Sequence, residues 1–211
     1  VLGDPAFDAY GAAADLPQRD TAGHTRLTDQ TSFAALPRSI RFQQLPGTAR
    51  EVDDIADLWV RGTGARIVRL EQARASEAAF KQHAGGKRIL HIATHGFFLG
   101  AGHAAAPGAL RGIGGIEGPD AGQGPAAIAE NPLLLAGLVL AGANHRAGAG
   151  PDEEDGILTA EEIASMDLSD VEWAVLSACD TGVGEIMAGE GVSGLRRAFR
   201  IAGAGTVIMS L

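Results

Sequence analysis

His95 and Cys179 are the two side chains whose types and settings best fit catalytic chemistry. Each follows an apolar run and precedes a glycine turn. One run reads Ile89-Leu90-His91-Ile92-Ala93-Thr94-His95-Gly96, the other Val175-Leu176-Ser177-Ala178-Cys179-Asp180-Thr181-Gly182. Open α/β sheets form their sites outside the carboxyl ends of their strands, so two strand-end residues can share one crevice. A thiol attacks as its thiolate, and a neighbouring imidazole supplies the base that generates it. The two residues are far apart in the chain and can meet only through folding. Their pairing predicts a cysteine peptidase site.

Each of these residues also has a plainer role open to it. A free cysteine is among the most buried residue types and often serves as a small core hydrophobe. Cys179, however, leads into the polar, turn-forming run Asp180-Thr181-Gly182-Val183-Gly184. Asp180 either helps to position substrate or caps that turn, and the turn role fits its neighbours slightly better. Six histidines are present, and any one of them is ordinarily a surface or satisfied core residue. His24, His103 and His145 fall in irregular segments, His83 near a helix end, and His91 inside a strand where it should be packed. His95 alone ends a strand before a glycine. Gly96 lets the backbone approach a ligand, and its amide can donate to an oxyanion.

Metal and nucleotide chemistry fit less well. His91 and His95 are four apart, a ligand spacing on a helix, but in a strand four residues span about 13 Å. No acidic partner motif follows them, so no metal is expected. The acidic run Asp152-Glu153-Glu154-Asp155-Gly156 has a glycine at the sixth and Glu162 at the twelfth position of a calcium loop. Pro151 takes the essential first position, and a glycine-rich run replaces the entering helix. Gly62-Thr63-Gly64 and Gly112-Ile113-Gly114-Gly115 lack the lysine or third glycine of a nucleotide loop. No cofactor is expected.

The elements that must position the pair emerge from the patterning. With 211 residues, 45% of them apolar, the chain can bury a core and is expected to form one domain. Lys plus Arg total 17 against 26 Asp plus Glu, a net charge of −9. That balance argues against nucleic acid, which calls for basic clusters. No apolar run reaches the roughly 18 residues of a membrane span, so no membrane partner is expected. A lone cysteine excludes an internal disulfide and fits a reducing compartment, with cytoplasm the default expectation. Both ends read as cuts through strands, which predicts a segment of a longer protein.

Residues 6–45 show no sustained period and read as an irregular lead-in. A helix is expected after Pro46, with Thr48 as its cap, Glu51 closing a capping box, and Val52, Ile55, Ala56 and Trp59 on one face up to Gly62. Ala65–Leu70 suits a short strand. Ser76 caps a second helix carrying Ala78, Ala79 and Phe80, and Lys87–Thr94 is an apolar strand of the kind buried in a parallel sheet. Between Gly100 and Pro132 there are nine glycines and four prolines in 33 residues, which predicts a flexible loop, either a lid or a tolerated insertion. Leu133–Leu140 returns to strand character. Thr159 and Glu162 form another capping box for a helix at Ala160–Met166, and Val171–Ala178 is the cysteine strand. A helix from Gly191 with Val192, Leu195, Phe199 and Ala202 on one face leads to a final strand. Alternating strands and helices predict an α/β fold with a mostly parallel central sheet.

The settings of both candidate residues resemble the CHAT domain, the caspase-HetF-associated family. The likeness includes Ile92-Ala93-Thr94-His95-Gly96-Phe97-Phe98 and Ser177-Ala178-Cys179-Asp180-Thr181-Gly182. It extends to Leu45-Pro46-Gly47-Thr48-Ala49-Arg50-Glu51-Val52, Asp155-Gly156-Ile157-Leu158-Thr159-Ala160-Glu161-Glu162-Ile163 and Gly189-Glu190-Gly191-Val192. It resumes through Leu195-Arg196-Arg197-Ala198-Phe199 and Ala202-Gly203-Ala204. It covers most of residues 1–211 in order, the long Gly/Ala/Pro loop at 100–132 being the main departure.

The resemblance implies a three-layer sandwich like that of caspases, separases and gingipains. It implies His95 as general acid and base, Cys179 as nucleophile, and the amides of Gly96 and Cys179 as the oxyanion hole. Protein or peptide substrates follow, with tetratricopeptide repeats often elsewhere in the full-length chain. Family members continue past the last strand with a tryptophan and an acidic stretch that helps to shape the specificity pocket. The alternative to an endopeptidase is a non-catalytic interaction or signalling module on the same fold, and a more distant one is metal-assisted hydrolysis.

Overall fold

A computed structural model describes residues 1–9, 40–99, 110–112, 132–149, 153–177 and 188–210. Along the chain, β1 (Leu2–Pro5) is followed by α1 (Pro46–Thr63), β2 (Leu70–Gln72), α2 (Glu77–Ala84) and β3 (Ile89–Ala93). Then come β4 (Gly96–Leu99), β5 (Leu110–Gly112), β6 (Ala136–Val139), β7 (Ile157–Thr159) and α3 (Ala160–Ser165). The last elements are β8 (Trp173–Ser177), α4 (Ala188–Ile201) and β9 (Thr206–Met209).

Five strands form an all-parallel sheet in the order β2-β1-β3-β8-β9. From β1 the chain steps one way to β2, then crosses back to place β3 on the other side. The strand order therefore reverses between β1 and β3, and helices lie on both faces. Alternation along each strand divides the two faces. Leu90, Ile92, Ala174 and Leu176 point into the main core with Phe80 of α2, Ile163 of α3, and Leu195 and Phe199 of α4. Ile92, Ile163, Leu176, Leu195 and Phe199 are essentially inaccessible, and each such side chain contributes about 1.5–3 kcal/mol by leaving water. The opposite face packs on α1 around Val52 and Ala56. This close approach requires Gly3, where a Cβ would stand 2.5 Å from Val52 Cγ2.

A second, antiparallel sheet runs in the order β5-β4-β6-β7. The sequence reading missed it because its strands are only three or four residues long and lie among glycines and alanines. Leu133–Leu140, read as one strand, is a 3-10 turn over Pro132–Leu135 followed by β6. Gly96, read as a turn, opens β4. Of the loop expected over 100–132, residues 110–112 form β5, and nearly all the rest lies outside the described residues. Ala65–Leu70 is not a strand except at its last residue, where β2 begins.

Three helix starts were read from caps, and two match. Ser76 Oγ accepts from Ala79 N at the start of α2. Thr159 and Glu162 close a full capping box on α3. The third differs: α1 begins at Pro46, so Thr48 is already helical, and its hydroxyl donates to the Leu45 carbonyl. Proline at the first helical position explains the earlier start, since it needs no hydrogen-bond acceptor there. The helix also runs past Gly62 and ends at Gly64, whose φ of 65° closes it in the left-handed conformation. No helix among the described residues is long and apolar enough to cross a membrane.

Gly137 of β6 leaves room for the Phe97 ring, since a Cβ there would lie 2.5 Å from Phe97 Cε1 and 2.7 Å from the Leu158 carbonyl. Gly137→Ala is therefore expected to cost about 1–3 kcal/mol through overpacking, read as a lower urea midpoint with unchanged slope. An unchanged midpoint would show that this contact is not tight.

Candidate functional site

The chain leaves the parallel sheet and enters the antiparallel one at Thr94 and His95. Thr94 Oγ1 donates to the Val139 carbonyl at 2.5 Å, and Val139 N donates to the His95 carbonyl at 2.9 Å. These two bonds clip the corner onto β6 just beyond the carboxyl end of β3. His95 is thus held at the junction between the sheets, with 1% of its surface exposed.

The imidazole lies against Phe7, with ring centroids 5.2 Å apart, and Phe42, at 5.8 Å. Its Nε2 is 2.7 Å from the Gln43 carbonyl. A carbonyl can only accept, so Nε2 carries the hydrogen, and in the neutral ring Nδ1 is the basic nitrogen. The tautomer is therefore set by a backbone group.

Gln43 belongs to a strap, residues 40–45, that runs over the imidazole into α1. Asn144 grips this strap from both sides: its Oδ1 accepts from Phe42 N at 2.7 Å and its Nδ2 donates to the Phe42 carbonyl at 3.0 Å. Arg146 donates to the Ile40 carbonyl at 2.7 Å and to the Ala143 carbonyl at 2.8 Å, and its guanidinium stands 5.6 Å from the Phe42 ring centre. Burial pulls the Arg146 pKa down, with Asp155 opposing and Arg41 adding to the fall. Phe7, Ile40, Phe42, Phe97, Val139, Ala143 and Ile157 form a small core around this arrangement.

The sequence does not single out Phe7, Phe42 or Gln43, because residues 6–45 carry no periodic signal, nor Asn144 and Arg146, which act through long-range bonds to the backbone of that strap. His91 is packed, as expected of a strand interior, and bonds Glu51 of α1 through Nε2 at 2.8 Å. His145 contacts the Asp8 carbonyl at 3.0 Å. Cys179 and Asp180 lie outside the described residues, which reach Ser177 at the end of β8.

Among the described residues, one group has the makings of a metal-ligand set: Glu77, Glu154 and Glu162, whose carboxylates converge. Lys81 Nζ already contacts all three, at 2.6 Å, 3.0 Å and 2.9 Å respectively. Burial pushes the Glu77 carboxyl well above the usual range, helped by Glu154 and Glu162 beside it and opposed by Lys81. Burial works against the Lys81 charge, but the three carboxylates outweigh it and raise its pKa. The cluster joins α2, the acidic turn and α3 with an internal cation. The acidic turn has a calcium-loop glycine, Gly156, at a φ of 80°, but Asp155 beside it accepts from Ile157 N at 2.9 Å.

The model of the CHAT domain family matches residues 1–211. The chain belongs to the CHAT-domain family. No curated protein and no solved structure matches it. CHAT domains are caspase-like, and the five-stranded parallel sheet of this CHAT domain, flanked by helices, agrees with that fold. The family places the chain among peptidase-related proteins.

Asp155 gives this CHAT domain a pH signature. Burial raises its carboxyl to about 6, against the Ile157 hydrogen bond and the Arg146 charge. The folded protein therefore keeps a proton that the unfolded chain has lost. The stability tied to that proton is complete below the usual carboxylate range and is lost as pH rises through about 6. Asp155→Asn retains an acceptor for Ile157 N. It is expected to gain about 2–3 kcal/mol relative to the native protein between about pH 4 and pH 7. Urea midpoints at the two pH values check this, and a difference that does not change with pH would contradict it.

Proposed function

We propose that this CHAT domain is a cysteine peptidase that hydrolyses peptide bonds in protein substrates, with Cys179 as nucleophile and His95 as general acid and base. Strand register carries the reading. β3 and β8 are parallel neighbours, and Ala93 lies opposite Ser177. His95 and Cys179 are each the second residue after that paired position. Neighbouring strands are about 4.8 Å apart, a separation that an imidazole, a thiol and one peptide carbonyl can bridge.

The Gln43 carbonyl supports the same roles, since a catalytic base is ordinarily oriented by a third group. With Nε2 donating to Gln43, Nδ1 is the nitrogen that exchanges protons with sulfur and substrate. Gly96 opposes Leu138 in the antiparallel ladder, and the Val139 N–H to His95 carbonyl bond makes this a non-hydrogen-bonded pair. The Gly96 N–H is therefore directed away from β6. We assign it, with the Cys179 amide, to the oxyanion hole. Asp180 is assigned to the turn after the nucleophile, with contact to substrate as its secondary role.

In the reaction, His95 takes the thiol proton and the Cys179 sulfur attacks the scissile carbonyl. The two amides hold the resulting oxyanion. As the carbon–nitrogen bond breaks, His95 returns the proton to the leaving amine, and a thioester remains. His95 then draws a proton from water, the hydroxyl adds to the thioester carbon, and the acid product leaves as the thiol is restored. The partners are protein or peptide substrates, with tetratricopeptide repeats elsewhere in a longer chain.

A positional library of peptides carrying a thiol-reactive electrophile tests the assignment. Stoichiometric labelling of Cys179, falling by at least about a hundredfold in rate in His95→Ala, is expected from the loss of general acid–base help. Folded native protein that stays unlabelled by the whole library would instead identify a non-catalytic interaction module.

A further inference from the structure

Glu51 lies on α1, yet its carboxylate is shared between two strands of the sheet beneath. Oε1 accepts from His91 Nε2–H at 2.8 Å, and Oε2 accepts from Ser177 Oγ–H at 3.0 Å. His91 belongs to β3 and Ser177 ends β8. The register pairs His91 with Val175 and Ala93 with Ser177, so all four share the face that α1 covers. His91 lies four residues before His95 and Ser177 two before Cys179. One carboxylate therefore holds the two strands that lead to the proposed dyad.

The same helix controls the other side of His95. The strap that carries Gln43 runs directly into Pro46, the first residue of α1, and the Gln43 carbonyl sets the imidazole tautomer. A slip of α1 along the sheet would move this carbonyl and loosen the end of β8 together. Apolar contact alone does not prevent such a slip, because it is non-directional. Two hydrogen bonds from a single carboxylate do prevent it. Apolar residues would hold the helix on the sheet at least as strongly as a half-buried polar cluster. What the cluster adds is direction.

We propose that Glu51 is a positioning residue, acting through Ser177 and through the α1–Gln43 strap to fix His95 and Cys179 relative to one another. The inference rests on the His/Cys reading above. It assigns Glu51 a geometric role that requires its hydrogen bonds. The Glu51→Gln variant would keep an acceptor for one partner and a donor for the other, since both the serine hydroxyl and an imidazole nitrogen can accept. The Glu51→Met variant would keep the helix propensity and the apolar stem but lose both bonds.

The test uses the full chain and iodoacetamide, which reports on its single cysteine. Alkylation rate is followed against pH alongside the urea midpoint. Native protein is expected to show fast alkylation at about pH 6, below the range of an ordinary thiol, and His95→Ala to abolish it. Glu51→Met should then slow alkylation at about pH 6 by roughly tenfold or more, as misplacement of reacting groups does. Glu51→Gln should stay within about threefold of native, keeping the geometry that alkylation requires. Ser177→Ala, which removes one bond from the strand side, should fall between them and serves if Glu51→Met does not fold.

Native rates in Glu51→Met or Ser177→Ala, with the His95 effect intact, overturn the positioning role and leave the peptidase reading standing. Equal losses in Glu51→Gln and Glu51→Met overturn it as well, because charge rather than geometry would be responsible. Absence of any His95-dependent alkylation overturns the peptidase reading, and this inference with it.

Discussion

The pairing of β3 with β8 is the constraint on which the rest of the site depends. Five consecutive residue pairs, from Ile89 with Trp173 to Ala93 with Ser177, lock the two strands side by side in parallel. A shift of β8 by one residue against β3 would turn Ala174 and Leu176 out of the main core, so burial fixes the register far more tightly than backbone bonds alone. The proposed dyad inherits this precision. His95 and Cys179 each follow the last pair, Ala93 with Ser177, by the same number of residues. The strand order switches between β1 and β3, the kind of position at which open parallel sheets generally place their sites.

A second sheet gives His95 its fixed corner. The chain passes from β3 into β4 without a loop, and the bonds to Val139 hold the crossing. The strap over residues 40–45 closes on the other side, with Asn144 and Arg146 holding its backbone. The imidazole is thus oriented by Phe7 of the turn after β1 and by the strap, which the segment after β6 holds in place. A buried polar ring costs free energy unless it is bonded, and the Gln43 carbonyl meets that requirement while placing the hydrogen on Nε2, the tautomer that the proposed base role uses. Stability and orientation are served by the same contact.

The sequence made some of this legible and hid the rest for physical reasons. β3, β8 and β9 are visible because a strand in a parallel sheet is apolar along its length. His95 stands out because it ends such a run beside Gly96. The cap of α3 is local, and Thr159 and Glu162 reveal it within four residues. Thr48 and Glu51 have the same spacing, but there the pattern misleads: proline starts the helix earlier, and Glu51 turns to partners 40 and 126 residues away. The antiparallel sheet went unseen because β4 to β7 are too short for period-two alternation to register. Gln43 contributes a carbonyl, and a backbone group leaves no trace in residue type. Long-range contacts and main-chain acceptors are what a single sequence conceals.

The most direct measurement is a crystal structure of the native domain with a peptide electrophile bonded to its cysteine. The account expects the Cys179 sulfur linked to the peptide and the adduct oxygen facing the Gly96 amide. It expects His95 Nδ1 within hydrogen-bonding reach of the reacting centre, and Nε2 still on Gln43. An adduct whose sulfur and His95 imidazole lie on opposite faces of the sheet, or too far apart for one peptide bond to span, would contradict it.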